Sequence, residues 1–320
     1  MLTVRDLHVT YHSGQTAIPA VRGVSLDLAA GERLGIAGES GCGKSTLAIA
    51  LLRLLPRGTE VSGEILLDGE DVLGMSFGRL RAVRWVGASI VFQGAMHSLN
   101  PVHRVGRQLA EPMLLHRTVP PSKVEERVTE LLGQVGLPPW RAASYPHQLS
   151  GGQRQRVMIA MALACEPKLV IADEATTALD VMIQAQVLEL VTCLATERGI
   201  ALVMISHDLS VLSSTCDRLA VMYAGRVIEE GLAHEVFTAP RHPYAAGLAA
   251  AFPMVGDDAS RLRPRGLAGD PPDPARLPPG CPFHPRCERA IAECESHDVR
   301  LRFVGTKHNA ACVHIGGLVT

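Results

Sequence analysis

Residues Gly38 to Thr46, GESGCGKST, are the stretch whose residue types and spacing are most specific for chemistry. The pattern GxxxxGK[ST] is typical of a phosphate-binding loop, in which glycines allow positive φ and turn backbone amides towards a phosphate. We expect Lys44 to reach the β and γ phosphates of a nucleotide and the Ser45 hydroxyl to bind Mg²⁺. An apolar run before the loop and another after it predict the strand and helix that this motif requires. The residues assigned to the nucleotide are Gly38, Glu39, Ser40, Gly41, Cys42, Gly43, Lys44, Ser45 and Thr46.

A second helix N-terminus with exposed amides is predicted within LSGGQ, where Ser150, Gly151 and Gly152 stand directly before a helix from Gln153 to Cys165. Such an end is suited to another phosphate contact. The phosphates of one nucleotide are already expected to bind the loop at Lys44. The phosphate loop and the LSGGQ segment can therefore contact the same nucleotide only if two chains face each other.

Polar side chains follow two predicted buried strands. Leu169 to Ala172 delivers Asp173 and Glu174, and successive strand residues point to opposite sides. This favours different roles for the two carboxylates: Asp173 would bind Mg²⁺, and Glu174 would face a water that attacks the γ phosphate. The alternative for the pair is an acidic strand end that is simply exposed to solvent. His207 follows the strand Ile200 to Ile205. A lone histidine is more often structural than catalytic, but ligands bind at this edge of open α/β sheets.

The overall composition excludes some classes of function. The chain has 320 residues, 47% of them hydrophobic, and a formal net charge of -1. This near-neutral charge gives no general attraction to nucleic acid or anionic lipid, so we expect no nucleic-acid partner. No signal peptide and no apolar run of about 18 residues are recognised, which predicts a cytosolic chain that reaches membranes only through a partner.

Four of the eight cysteines gather near the end of the chain, after a proline-rich connector from Arg263 to Pro285. Clustered thiols in a reducing compartment suggest a metal more than disulfides. Four thiolates could hold zinc or an iron-sulfur cluster, but the spacing lacks paired CxxC motifs, so free thiols remain an alternative. The cysteines are Cys281, Cys287, Cys294 and Cys312.

Further short elements complete the pattern. Leu2 to Val9 and Val24 to Leu28 predict early strands, and Ala88 to Phe92 predicts a buried strand. Residues 99–148 are polar, helix-like and broken by prolines, which indicates an inserted helical subdomain. Tyr11 follows the first strand, where it could stack on an adenine or be an ordinary half-buried strand-end tyrosine.

In order and spacing, these motifs resemble those of the ATP-binding subunits of ABC transporters over essentially the whole chain. Gly38 to Ser45 matches the Walker A motif, Leu149 to Gln153 the LSGGQ signature and Leu169 to Asp173 Walker B. The resemblance assigns further roles by position. Gln93 is the Q-loop glutamine at Mg²⁺, Glu174 is the catalytic glutamate, and His207 is the switch histidine. The D-loop is Ala178 to Asp180, and the residue that stacks on adenine is Tyr11.

The resemblance also implies the fold and the domains. It is an α/β fold, a P-loop NTPase (RecA-like) core with an antiparallel β-subdomain and an inserted helical subdomain at about 95–160. The nucleotide-binding domain would occupy residues 1–235, and a small irregular cysteine-rich extension residues 236–320. Two departures from the family pattern, Ala175 in place of proline and Gly94-Ala95 in place of Asp-Pro, put the rigidity of these loops and the rate of hydrolysis in doubt.

Several segments more closely resemble the oligopeptide/dipeptide permease branch, which also contains nickel importers. They are FQGAMHSLNP (92–101), RQRVMIAMALACEPK (154–168), TTALDVMIQAQ (176–186), VMYAGRVIEEG (221–231) and APRHPYAAGL (239–248), together with the cysteine tail. The resemblance implies an ATPase that drives import of di- or oligopeptides. Import of nickel or another small solute is the alternative, and a soluble ABC ATPase that works on nucleic acid or ribosomes fits less well.

The same resemblance implies cofactors and partners. The cofactors are ATP, Mg²⁺ and a [4Fe-4S] cluster at the four tail cysteines, with zinc as the alternative. Ser150, Gly151, Gly152 and Gln153 would contact the γ phosphate bound to a second ATPase subunit, a distinct but homologous chain with which this one forms a heterodimer. Two transmembrane permease subunits and an extracytoplasmic solute-binding protein would complete the importer, with this chain peripheral on the cytoplasmic face of the inner membrane.

Overall fold

The computed structural model describes residues 1–14, 16–92, 98–175, 181–251, 266–305 and 307–315. They belong to two compact units. The first unit comprises Met1–Leu28, Arg33–Leu73 and Met204–Thr320, and the second comprises Ala29–Glu32 and Gly74–Val203.

The described strands follow one another along the whole chain. They are β1 (Leu2–Ser13), β2 (Thr16–Leu28), β3 (Arg33–Ala37), β4 (Glu60–Leu67), β5 (Glu70–Asp71), β6 (Ala88–Val91), β7 (Leu169–Asp173), β8 (Ala201–Ser206), β9 (Arg218–Tyr223), β10 (Arg226–Leu232), β11 (Arg302–Gly305) and β12 (His308–Ala310).

The described helices are mostly short. They are α1 (Lys44–Leu51), α2 (Phe77–Val83), α3 (Val105–His116), α4 (Val124–Gln134), α5 (Gly151–Ala162), α6 (Val181–Arg198), α7 (Leu209–Thr215), α8 (Ala233–Thr238), α9 (Pro243–Ala251) and α10 (Glu293–Ser296).

An antiparallel sheet with the strand order β2-β1-β4-β5 forms one part of the first unit. Along β1, Leu2 and Val4 are buried, and a register shift before Leu7 keeps Leu7 and Val9 on the buried side. Alternating burial of this kind is expected for a sheet with one face towards a core. The antiparallel β-subdomain predicted from the sequence is therefore confirmed.

The first unit also contains the strand that leads into the phosphate loop. This strand, β3, pairs in parallel with β9, and β9 pairs antiparallel with β10. Leu34, Ile36 and Ala37 of β3 are at most 1% exposed. A strand that is buried on both faces reads as a continuous apolar run, which is why the sequence located β3 correctly.

The second unit combines parallel strands with a group of helices. Strand β6 pairs in parallel with β7, and β8 begins beside β7, where the Ala201 amide donates to the Lys168 carbonyl at 2.9 Å. Helix α5 packs against α3, α4 and α6. Pro112 lies inside α3, so this proline does not break the helix as the sequence pattern had suggested.

The C-terminal extension contains two strands that the sequence analysis did not anticipate. Strand β12 pairs with β11 and also with β10, through Glu229 opposite Ala310 and Glu230 opposite Asn309. The edge of β10 supplies the hydrogen-bonding partner that makes the short segment β12 a strand. Such pairing between distant segments cannot be predicted from local sequence patterns. The domain boundary predicted at residue 235 stays a prediction.

Candidate functional site

The phosphate loop follows β3 with a backbone that requires glycine. Gly38, Gly41 and Gly43 have φ values of 154, 81 and 104°. A Cβ atom on Gly43 would lie 2.2 Å from the Ala20 carbonyl oxygen, and one on Gly38 would lie 2.4 Å from the Met222 carbonyl oxygen. Both the conformation and the close approach of other backbone therefore exclude larger residues.

Helix α1 begins at the end of this loop with its positive end open to an anion. Its N-cap is Gly43, which provides no side-chain hydrogen bond to the first turn. Backbone amides at a helix N-terminus, together with the helix dipole, favour a phosphate group. The assignment of these loop residues to the phosphates of a nucleotide stays a prediction.

Lys44 crosses the loop from the first turn of α1. Its Nζ donates to the carbonyl oxygens of Gly38 at 2.7 Å and Glu39 at 2.8 Å, and the residue is only 4% exposed. The buried Cys42 thiol lies 3.7 Å from the same nitrogen, and burial raises the pKa of this thiol. Cys42 is therefore a neutral neighbour of Lys44, and the contact of Lys44 with phosphate stays a prediction.

Tyr11 lies within reach of this loop. Its hydroxyl donates to Thr46 Oγ1 at 3.2 Å, and the side chain is part-buried. The contact places the phenol ring of β1 beside the first turn of α1. A role in stacking on adenine stays a prediction.

The signature segment lies in the second unit, at the start of α5. Ser150 is the N-cap; its hydroxyl accepts from the Gln153 amide at 3.3 Å, while Gln153 Oε1 accepts from the Ser150 amide at 3.1 Å. This reciprocal pair is a capping box, which fixes the helix start. The helix begins at Gly151, two residues earlier than the sequence predicted.

Gly152 lets α5 and α6 approach closely. A Cβ atom on Gly152 would lie 2.8 Å from Ile183 Cγ2 of α6. The glycine is thus required by packing within the second unit, independently of any contact with phosphate.

The two acidic residues at the end of β7 have different environments. Asp173 is 3% exposed, which excludes the alternative of a merely solvated acidic strand end for this residue. Glu174 is half-buried and has φ 44°, a left-handed conformation that is uncommon for residues other than glycine. The backbone therefore leaves the extended strand conformation at Glu174.

His207 is exposed in the first unit, between β8 and α7. The next residue, Asp208, is the N-cap of α7, and its carboxylate accepts from the Ser210 and Val211 amides at 2.9 and 3.2 Å. This N-cap fixes the backbone next to His207, and the His207 imidazole takes no part in the cap.

Some predicted site residues lie outside the described residues. They are Gln93, the Gly94-Ala95 pair and the D-loop residues Ala178 to Asp180.

The described tail cysteines do not form a metal site. No group of three or more His, Cys, Asp or Glu side chains in the described ranges is placed to hold a metal ion, and all four thiols are free. The Cys281 amide donates to the Cys294 carbonyl at 2.8 Å. Burial, with a smaller contribution from the charges of the other three tail cysteines, raises the pKa of Cys281 to about 11.

The sequence analysis missed residues of the extension that contact the phosphate loop. Arg286 donates to both carboxylate oxygens of Glu39, at 2.7 and 2.9 Å, and the Glu39 amide donates to the Tyr244 hydroxyl at 2.8 Å. These partners are 247 and 205 residues away in the chain, so no spacing rule could have paired them.

Comparisons with known proteins agree with this geometry. A family model described as ABC transporter matches residues 21–177, and one described as Oligopeptide/dipeptide transporter, C-terminal region, matches residues 228–294. The Oligopeptide transport ATP-binding protein OppD of Escherichia coli (strain K12) is 45% identical over 298 residues, which cover 92% of this chain and 88% of that protein. The chain belongs to the ATP-binding subunits of ABC transporters. As an ABC ATPase, it binds and hydrolyses ATP.

Other relatives of this ABC ATPase support the same assignment. The Dipeptide transport ATP-binding protein DppD of Bacillus subtilis (strain 168) is 42% identical over 92% of this chain and 89% of that protein. A solved dimeric structure of the ATP-binding cassette MJ0796 in a post-hydrolysis state, bound to ADP and Pi, has a TM-score of 0.66 at 30% identity, covering 73% of this chain and 99% of that one. The predicted P-loop NTPase fold is confirmed. No helix in the described part of the ABC ATPase is long and apolar enough to cross a membrane.

Proposed function

We propose that this ABC ATPase is the motor subunit of an importer for di- or oligopeptides. The observation that carries the proposal is the match of residues 228–294 to the C-terminal region of oligopeptide/dipeptide transporters, on a chain whose phosphate loop has the geometry described above. Relatives named for oligopeptide and dipeptide transport, each similar over 92% of this chain, support the peptide substrate.

In this proposal the two ends of the nucleotide have separate contacts. Lys44 and the amides at the start of α1 bind the β and γ phosphates, and Tyr11 stacks on the adenine. Ser45, Asp173 and Gln93 would hold Mg²⁺, which would supply charge neutralisation at the phosphates.

Hydrolysis then depends on Glu174 and His207. Glu174 activates the attacking water as general base, and His207 contacts the γ phosphate from the end of β8. General-base catalysis of this kind contributes roughly 10²- to 10⁴-fold to the rate.

A second ATPase subunit completes each nucleotide site. Ser150, Gly151, Gly152 and Gln153 contact the γ phosphate held by the partner's phosphate loop. The capping box supports this, because it pairs the amides of Ser150 and Gln153 with each other's side chains, which leaves the amides of Gly151 and Gly152 for a ligand. ATP would then close the two subunits on each other, and hydrolysis would let them separate.

The remaining partners follow from the proposed transport role. They are two transmembrane permeases and an extracytoplasmic solute-binding protein, with this chain on the cytoplasmic face of the membrane. The experiment is to extract the protein from its native membrane in mild detergent and identify the co-purifying proteins by mass spectrometry. Two permeases, a homologous ATPase and a peptide-loaded binding protein are expected. A binding protein loaded with nickel would show that the substrate is nickel and not a peptide. Recovery of the protein without permeases would overturn the proposal.

The [4Fe-4S] cluster, with zinc as the alternative, rests on the sequence alone. In the described ranges, no group of three or more His, Cys, Asp or Glu side chains is placed to hold a metal ion. The test is metal analysis of the full chain, purified without oxygen, beside Cys287→Ser. Equal metal content in the two proteins would exclude Cys287 as a ligand.

A further inference from the structure

Glu39, the second residue of the phosphate loop, is held from the far end of the chain. Both carboxylate oxygens accept from Arg286, at 2.7 and 2.9 Å, and the amide donates to the Tyr244 hydroxyl at 2.8 Å. The carbonyl oxygen accepts from Lys44 Nζ at 2.8 Å. Every polar group of this loop residue therefore has a partner, and two of the partners, Arg286 and Tyr244, belong to the C-terminal extension.

Arg286 is itself fixed from several sides. Its side chain is 6% exposed, Nε donates to the Ala268 carbonyl at 2.9 Å, and Nη1 also reaches the Tyr223 hydroxyl at 3.3 Å. The guanidinium lies 5.8 Å from the centre of the Phe283 ring. A planar guanidinium in a bidentate pair with a carboxylate defines direction as well as charge. The pair is thus a rigid link to the loop and not a mobile surface ion pair.

Tyr244 is the second link, and it is anchored in an aromatic cluster. Its ring centre lies 4.5 Å from that of Tyr223 and 5.4 Å from that of Phe283. Tyr223 ends β9, the parallel neighbour of the strand that delivers the loop. The hydroxyl of Tyr244 therefore has a fixed position beneath the Glu39 amide.

We propose that Arg286 and Tyr244 are positioning residues for ATP, through which the C-terminal extension sets the geometry of the phosphate loop. Neither residue needs to touch the nucleotide. Each acts through Glu39, whose carbonyl oxygen also receives Lys44, the residue that contacts the β and γ phosphates. The inference rests on the proposed nucleotide contacts of Lys44 and deepens them.

The alternative is that these contacts only attach the extension to the rest of the first unit. In that case their removal would lower stability without changing ATP turnover by the folded protein. A positioning role predicts that ATP kinetics change in protein that is still folded, because loop amides displaced by even about 1 Å lose transition-state contacts.

The experiment measures kcat and KM for ATP on the full chain purified together with its partner ATPase subunit, with Arg286→Ala, Arg286→Lys and Tyr244→Phe in this chain. Thermal unfolding is recorded for each protein. Arg302→Ala, at an exposed position on β11 of the same extension, is the matched control for loss of one positive charge. We expect Arg286→Ala to lose about ten- to a hundred-fold in kcat/KM. Arg286→Lys keeps the positive charge but loses the bidentate guanidinium, so its kcat/KM should lie between those of Arg286→Ala and wild type.

Tyr244→Phe removes only the hydroxyl that receives the Glu39 amide, so we expect a smaller loss, of a few fold. Because Arg286 and Glu39 act as one pair, Arg286→Ala combined with Glu39→Gln should lose no more than the more damaging single change. If Arg286→Ala does not fold, Arg286→Lys and Tyr244→Phe decide the question.

Values of kcat/KM for these variants within twofold of Arg302→Ala would overturn the inference. A wild-type chain that does not bind ATP would instead overturn the proposed nucleotide site.

Discussion

Glu174 stands directly after the buried Asp173, and its φ of 44° turns the chain out of β7. A left-handed conformation at a residue with a Cβ costs roughly 1–2 kcal/mol. Such a cost is most common where function needs a side chain in a particular place. The conformation is consistent with a carboxylate that is aimed at a reacting water.

Glu174→Gln should leave ATP binding intact and stop hydrolysis, because the amide keeps the shape of the side chain but cannot accept a proton. The ATP-bound subunits should then accumulate as a closed pair. ATP turnover and size-exclusion chromatography with ATP and Mg²⁺ measure the two effects.

Glu166→Gln is the matched control for this change. Glu166 also has a positive φ, of 52°, but it is exposed and pairs with Arg127 at 2.7 Å. This variant should hydrolyse ATP at the wild-type rate. Wild-type turnover by Glu174→Gln would remove Glu174 from the mechanism.

At the scale of elements, the start of α5 combines a cap with a close helix contact. Gly152→Ala places a Cβ 2.8 Å from Ile183 Cγ2, so α5 or α6 must shift. We expect a loss of about 1–3 kcal/mol in the free energy of unfolding, measured by chemical denaturation.

Gly133→Ala in α4 is the control for this prediction. Gly133 is exposed, and nothing lies within 4 Å of a Cβ there. Alanine favours helix over glycine, so this change should stabilise the protein by up to about 1 kcal/mol. Equal effects of the two substitutions would contradict a packing role for Gly152.

The start of α9 depends on a neutral histidine. His242 is 2% exposed, its Nδ1 accepts from the Tyr244 amide at 3.0 Å, and burial lowers its pKa to about 4. Between pH 6.5 and pH 4 the unfolded chain binds a proton that the folded chain excludes. Stability from this group is therefore complete above pH 6.5 and is lost as the pH falls.

His242→Asn should keep an acceptor for the Tyr244 amide and abolish this titration. Lowering the pH from 7 to 5 should cost wild type about 2 kcal/mol more than it costs the variant. Burial raises the pKa of neighbouring Glu229, which makes stability fall as the pH rises past 4.5, but Glu229 is present in both proteins and cancels in the difference. Identical pH dependence in the two proteins would contradict the assignment.

Local patterns predicted the elements that local physics determines. The sequence predicted the glycine loop before α1 and the apolar strands β3, β7 and β8 to within one or two residues. Their burial and backbone conformation depend on the types of consecutive residues. The β11-β12 pair and the link from Arg286 to Glu39 depend on contacts between distant segments. Local sequence reasoning has no access to such contacts.

At the scale of the whole molecule, the account joins an ATP site to peptide transport through partners. The chain has one phosphate loop and one signature segment, and in the proposed assembly a second ATPase subunit completes each nucleotide site. In the same proposal, other subunits of the importer recognise the peptide. The central claim is therefore tested on transport itself.

The most direct measurement is uptake of a radiolabelled tripeptide by cells of the organism that encodes the protein, after deletion of its gene. The account predicts that uptake falls in the deletion strain, that the wild-type gene restores it, and that Lys44→Ala and Glu174→Gln do not, although both proteins are present at wild-type levels. Normal peptide uptake in the deletion strain, or full restoration by Lys44→Ala, would contradict the account.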